Sequence, residues 1–174
     1  MRYCAFLRGV NVKGTNMKME DVCKVFRNTG MTDVVSVLAS GNIVFSSGNE
    51  AGKLKAVLEE AMSEYFLYEA FLFIRSQEVT ENILKGNPFE KNENLHTYAF
   101  VGNPGIEKML MTEFEKAAKE PEEQAVIVNG NFYWQVPKGS TLGSPFGKVL
   151  GKKNLKDQFT SRNINTFEKI LGKF

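Results

Sequence analysis

The sequence predicts an α+β protein organised as two lobes. Three observations carry that reading. Short apolar, β-branched runs alternate with stretches whose apolar residues recur at helical spacing. Over residues 1–75 these signals fall in the order β-α-β-β-α-β, and from residue 76 a second set of helix, strand and hairpin signals begins. The chain has 174 residues, 43% hydrophobic and 24% charged, which is enough apolar material to bury cores and too much for a disordered chain.

Each element has its own signature. MRYCAFLRG is compatible with a strand, and residues 9–17, with Gly14 and two asparagines, read as a loop. Met19, Val22, Cys23 and Phe26 then mark one face of a helix, with Gly30 placed to end it as the C′ residue. DVVSVLAS and NIVFSS are strand-like runs joined by a tight turn at Ser40-Gly41-Asn42. Ser47-x-x-Glu50 fits a capping box ahead of a helix whose stripe is Leu54, Val57, Leu58, Ala61, Met62 and Tyr65. EAFLFIR, residues 69–75, completes the set as a buried strand.

The order over residues 1–75 is that of a ferredoxin-like lobe, an antiparallel sheet with two helices on one face. Residues 76–174 form the second, smaller α+β lobe, and its C-terminal helices are expected to pack back on the first. Ser76 is placed to cap a short helix that ends at Gly86-Asn87-Pro88, because the residue before proline is pushed out of the helical region. LHTYAFVG reads as a strand. Ile106, Met109, Leu110, Phe114, Ala117 and Ala118 mark a helix that stops before Pro121. AVIVNGNFYWQVP reads as a hairpin turning at Asn129-Gly130, and Pro145 to Phe174 as a basic, partly helical stretch. Trp134 and Tyr133 are expected in the core of that hairpin sheet rather than stacked on a ligand.

Several function classes drop out. No apolar run approaches the ~20 residues that span a bilayer, and the N-terminal run is too short for a signal peptide, so no membrane partner and a cytoplasmic location are expected. Cys4, Cys23 and His96 are too few and too scattered for a metal site or a C-x-x-C redox pair, so neither metal nor cofactor is expected. Both cysteines lie in apolar runs and read as small buried hydrophobes. No P-loop, G-x-G-x-x-G or G-x-S-x-G signature occurs.

Charge is segregated along the chain. Residues 1–18 hold Arg2, Arg8, Lys13 and Lys18 and no carboxylate, and residues 138–174 hold eight basic side chains against Asp157 and Glu168. The middle is correspondingly acidic, although the chain as a whole carries a formal net charge of only +2. Were the two ends close in space, their fields would add and attract an anion.

Four blocks stand out: LRGVNVKGTNMKM (7–19), LASGNIVFSS (38–47), GNPF (86–89) and FTSRNINTFEKIL (159–171). Together, and in this order, they resemble the bacterial family DUF1697 from end to end. The chain departs from that family's pattern at Lys13, Ala39 and Ile170. The resemblance implies a two-lobe α+β fold and no established activity. Read chemically, Arg8, Gly9, Asn11 and Gly14 follow the first strand, Ser40, Gly41 and Asn42 form a turn, and Thr160, Arg162, Asn163, Asn165 and Thr166 are expected to open the last helix. Glycine-rich backbone, an arginine fork and a polar helix start are the parts of an anion cradle. The candidate ligand-binding residues are therefore Arg8, Asn11, Ser40, Asn42, Arg162 and Asn163. The same arginines could instead anchor architecture, and strand direction alone leaves open whether Arg8 and the Ser40-Gly41 turn share one end of the sheet.

Three functions follow as expectations. One is binding of an anionic, phosphorylated small molecule, with or without catalysis; a base such as Glu20 or Asp157 can be named only by its chemistry. The second is nucleic-acid binding through the basic ends, although NIVFSS lacks the aromatic pattern of RNA-recognition strands. The third is a non-catalytic interaction module, monomeric or paired as a homodimer through sheet edges.

Overall fold

The structure is a computed structural model that describes residues 1–10 and 17–174. It divides into two compact units, one of residues Met1–Glu81 with Thr166–Phe174, the other of Asn82–Asn165. Each holds a four-stranded antiparallel sheet.

The first unit runs β1 (Arg2–Arg8), α1 (Met19–Asn28), β2 (Thr32–Val37), β3 (Asn42–Ser46), α2 (Ala51–Phe66) and β4 (Phe71–Ser76). The strand order β2-β3-β1-β4 is that of the ferredoxin-like arrangement read from the sequence. One sheet face, with Tyr3, Ala5, Leu7, Ile43, Phe45, Leu72 and Ile74, packs on Val22, Cys23 and Phe26 of α1 and Leu54, Leu58 and Met62 of α2. The helical stripe of α2 is narrower than its sequence suggests, since Val57 and Tyr65 are nearly half exposed.

Helix ends follow local chemistry. After α1, Gly30 N–H bonds the Arg27 carbonyl at 3.0 Å and Met31 N–H bonds that of Phe26 at 3.1 Å, the paired bonds of a Schellman stop with Gly30 at φ +86°. The capping box at Ser47 does not form. Ser47 Oγ accepts instead from Asn49 N–H at 3.2 Å, and α2 begins after Glu50 with no side-chain cap. Ser76 does cap α3 (Gln77–Lys85), accepting from Val79 N–H at 3.3 Å.

The second face of this sheet is also buried. Cys4, Phe6, Asn42 and Val44 have no exposed surface, and the Phe6 ring lies 5.5 Å from that of Phe167 on α6 (Ile164–Leu171). Beyond α6, Arg2 donates to the Lys173 carbonyl at 3.0 Å and lies 5.9 Å from the Phe174 ring centre, tying the chain's end to its first strand.

The second unit repeats the topology: β5 (Leu95–Gly102), α4 (Ile106–Lys116), β6 (Gln124–Val128), β7 (Asn131–Pro137), α5 (Pro145–Leu150) and β8 (Phe159–Asn163), in sheet order β6-β7-β5-β8. Residues 159–163, expected to lead into the last helix, are an edge strand instead, paired antiparallel with β5. Asn129 and Gly130, at φ +50° and +75°, make the tight β6–β7 turn foreseen from the sequence. Trp134 and Tyr133 are both core residues. Trp134 packs edge-on against Phe146 at 5.1 Å among Leu110, Phe114, Phe132 and Phe159.

Tyr133 lies on the opposite face, where its hydroxyl donates to the Ile83 carbonyl at 2.7 Å. Burial pushes its pKa up to about 12, and burial with the Glu59 charge does the same for Tyr68. The folded state thus keeps protons that the unfolded chain releases near pH 10, so stability is whole below pH 10 and declines as the pH rises towards 12. Chemical denaturation at pH 9 and 11 should record that loss, and Tyr133→Phe should reduce it; an equal loss in the variant would assign it elsewhere.

Candidate functional site

The ferredoxin-like strand order decides where the first two motifs go. β1 and β2 run parallel on either side of an antiparallel β3, so the end of β1 and the start of β3 meet at one end of the sheet. Phe6 is paired with Asn42, and Leu7 N–H donates to the Gly41 carbonyl at 2.8 Å. Arg8, Gly9 and the Leu38–Gly41 loop therefore share one end of the sheet, which the sequence alone left open.

Gly41 is what allows the close approach. It sits at φ +78°, and a Cβ there would fall 2.5 Å from Val10 Cγ2 and 3.0 Å from Leu7 Cβ. The segment leaving β1 consequently packs directly on the turn. Asn42, fully buried, braces the turn from within: its amide donates to the Val37 carbonyl at 2.9 Å and to Ser40 Oγ at 3.0 Å. Ser40 itself is exposed, and Arg8 is half-buried. Asn11 and Gly14 lie outside the described residues.

The C-terminal motif lies in the second unit, except for Thr166, which belongs to the first. Arg162 is 7% exposed on β8, donating to Thr160 Oγ1 at 2.7 Å and to the Ser161 carbonyl at 2.8 Å. Asn163 stands at the junction of β8 and α6. Its Oδ1 accepts from Asn165 N–H at 3.0 Å, the bond of a helix cap, and its amide nitrogen lies 3.1 Å from His96 Nδ1. Thr97 and Gln135 add a buried hydrogen bond of 3.1 Å on the Tyr133 face of the same sheet.

Sequence reasoning passed over Glu123, a carboxylate 5% exposed that accepts from Trp134 Nε1 at 2.9 Å and from Glu120 N–H at 3.1 Å. Within a run of acidic residues nothing distinguishes the one that turns inward. Among the described residues no three of His, Cys, Asp and Glu cluster as a metal site would require, and no helix is long and apolar enough to cross a membrane. Cys4 and Cys23 are buried and form no disulfide.

Residues 1–133 match the family described as "Protein of unknown function (DUF1697)". A solved structure of a conserved bacterial protein from Streptococcus pneumoniae is similar over 99% of this chain and 97% of its own, with a TM-score of 0.77 at 24% identity. That likeness concerns the fold. No curated protein matches the chain.

Proposed function

The chain belongs to the DUF1697 family, and we propose that it binds a phosphorylated small molecule at the end of the first sheet, where Arg8 and Gly9 meet the Ser40-Gly41 turn. The observation that supports this most directly is the convergence of these motifs through the Leu7–Gly41 hydrogen bond. An arginine and an exposed serine hydroxyl thereby share a sheet end, in a segment whose first 18 residues carry four cations and no carboxylate. A guanidinium fork and a hydroxyl are complementary to phosphate oxygens, and the local excess of positive charge draws an anion in. In this reading Arg8 and Ser40 touch the ligand. Asn42 holds the turn, while Arg162 and Asn163 serve β8 and the start of α6.

Nucleic acid is the less favoured ligand. RNA-recognition sheets stack bases on exposed aromatics, whereas Phe6, Phe73, Tyr133 and Trp134 are all 2% exposed or less. Binding would then rest on phosphate contacts and weaken steeply with salt.

A thermal-shift series with inorganic phosphate, nucleotides, sugar phosphates and short single-stranded RNA, at low and moderate salt, tests the reading. A ligand at 100 times its Kd adds about 2.7 kcal/mol of stability. The expected result is a shift with a small phosphorylated compound that survives moderate salt and disappears in Arg8→Ala. A shift retained by that variant, or seen with no small phosphorylated compound, would overturn it; a response confined to RNA and lost with salt would favour the nucleic-acid alternative.

A further inference from the structure

The four edge strands differ in how their outward peptide groups are treated. In an antiparallel ladder, alternate residues direct N–H and C=O towards the neighbour or away from it. Because Leu7 bonds towards β3, its β4 partner Leu72 points outward, as do Ala70 and Ile74. Side chains cover all three. Leu72 N–H bonds Glu59 at 3.0 Å and its carbonyl accepts from Lys55 at 2.9 Å, with Lys55 and Glu59 themselves paired. Ala70 N–H bonds Ser63 Oγ at 3.0 Å, and the Ile74 carbonyl accepts from Arg75 at 2.9 Å.

The same device recurs on two other edges. On β2, where Val34 and Ser36 face outward, the Val34 carbonyl accepts from Arg27 at 3.0 Å next to an irregularity in register and Asp33 at φ +50°. On β8 it is that of Ser161, which accepts from Arg162 at 2.8 Å. Arginine and lysine laid across an edge, and a bulge within it, are ways of preventing a second strand from adding.

β6 has none of this. Val128 and Asn131 flank the two-residue turn and bond each other, which leaves the peptide groups of Ala125 and Ile127 facing outward. Among the described residues no side chain is bonded to them. The strand is QAVIV, uncharged and rich in β-branched residues, with Gln124 and Ile127 exposed. An apolar edge with free donors and acceptors is a template for strand addition.

We propose that β6 is the interface through which this chain pairs with a second copy of itself, antiparallel about Val126. With the other three edges blunted, what a copy offers to an open β6 is its own β6. The register about Val126 forms both bonds of the Ala125–Ile127 pair twice, and sets Val126 against Val126. It also fits the charges. Antiparallel, the acidic run Glu120, Glu122, Glu123 lies beside the partner's uncharged Asn129-Gly130 turn, whereas parallel strands would set that run against itself.

Sedimentation velocity of the full chain over a range of concentrations tests this. The expected result is a mass rising from 19.6 kDa towards twice that value. Val126→Lys and Val126→Glu, checked for folding by circular dichroism, should each remain monomeric, since like charges would face each other across the axis, and an equimolar mixture should pair again. Val126→Cys should cross-link under mild oxidation, while Cys4 and Cys23 stay buried in the cores. A wild type that is monomeric throughout, a dimer indifferent to charge at position 126, or a Val126→Cys variant that never cross-links would overturn the proposal. The cysteine substitution, apolar and small, keeps the test decisive should the charged variants fail to fold.

Discussion

Trp134→Ala is expected to cost the protein about 4 to 8 kcal/mol of stability, measured as a lower denaturation midpoint with the denaturant slope unchanged. Two terms add. Removing a fully buried indole from between Phe146 and Tyr98 opens a large cavity, and such truncations cost about 3 to 5 kcal/mol. The change also strips Glu123, a carboxylate 5% exposed, of its indole donor, leaving it the single Glu120 N–H. Leaving a buried acceptor short of a partner costs about 1 to 3 kcal/mol more. Trp134→Phe separates them, because it keeps most of the packing and loses the bond; a loss no larger than that of a surface substitution would mean that the Glu123 bond contributes little.

That pair also shows where sequence reading succeeds. Tryptophan in FYWQV belongs to the core because alternation along a strand puts every second residue on the helix-covered face, a property of period two that needs no coordinates. The partner carboxylate was not legible, because which residue of a Glu-rich run turns inward depends on where the facing strand puts its indole. The same division runs through the fold. Residues 1–75 were readable as β-α-β-β-α-β since each apolar run is bounded by a turn residue with a mechanical role, Gly30 and Gly41 among them. β8 was not. FTSRN carries two hydroxyls, a guanidinium and an amide, a composition that resembles a helix start, and it becomes a strand through pairing with Ala99 and Val101 of β5, about sixty residues away in sequence. Recognising the second unit as a repeat of the first depended on that strand.

For the candidate site, the residue types were legible and their grouping was not. Arg8 and Ser40 stand out as polar residues beside glycine in otherwise apolar surroundings. That they share a sheet end follows from the strand order, in which β3 lies between β1 and β2. Arg162 has the same chemistry in sequence, yet it bonds Thr160 and Ser161 of its own strand. Residue by residue, nothing in the sequence marks a guanidinium that bonds the backbone of its own edge strand.

Gly41→Ala is expected to lower stability by about 2 to 5 kcal/mol and to abolish any phosphate-linked stabilisation at the same time. The left-handed backbone at φ +78° costs a residue with a Cβ about 1 to 2 kcal/mol. A methyl 2.5 Å from Val10 Cγ2 and 3.0 Å from Leu7 Cβ adds an overpacking cost of about 1 to 3 kcal/mol, because Val10 is buried, β-branched and unable to swing aside. Relief comes by moving the turn away from the segment that leaves β1, which separates Ser40 from Arg8. Ser40→Ala supplies the contrast: Asn42 keeps its bond to Val37 and loses only the one to Ser40, so stability should fall by about 1 kcal/mol while ligand affinity falls. Loss of binding in both variants, with the larger loss of stability in Gly41→Ala, would separate contact from positioning. Retention of binding in a destabilised Gly41→Ala would mean that the turn is architecture and that the anion, if held by Arg8, is held without it.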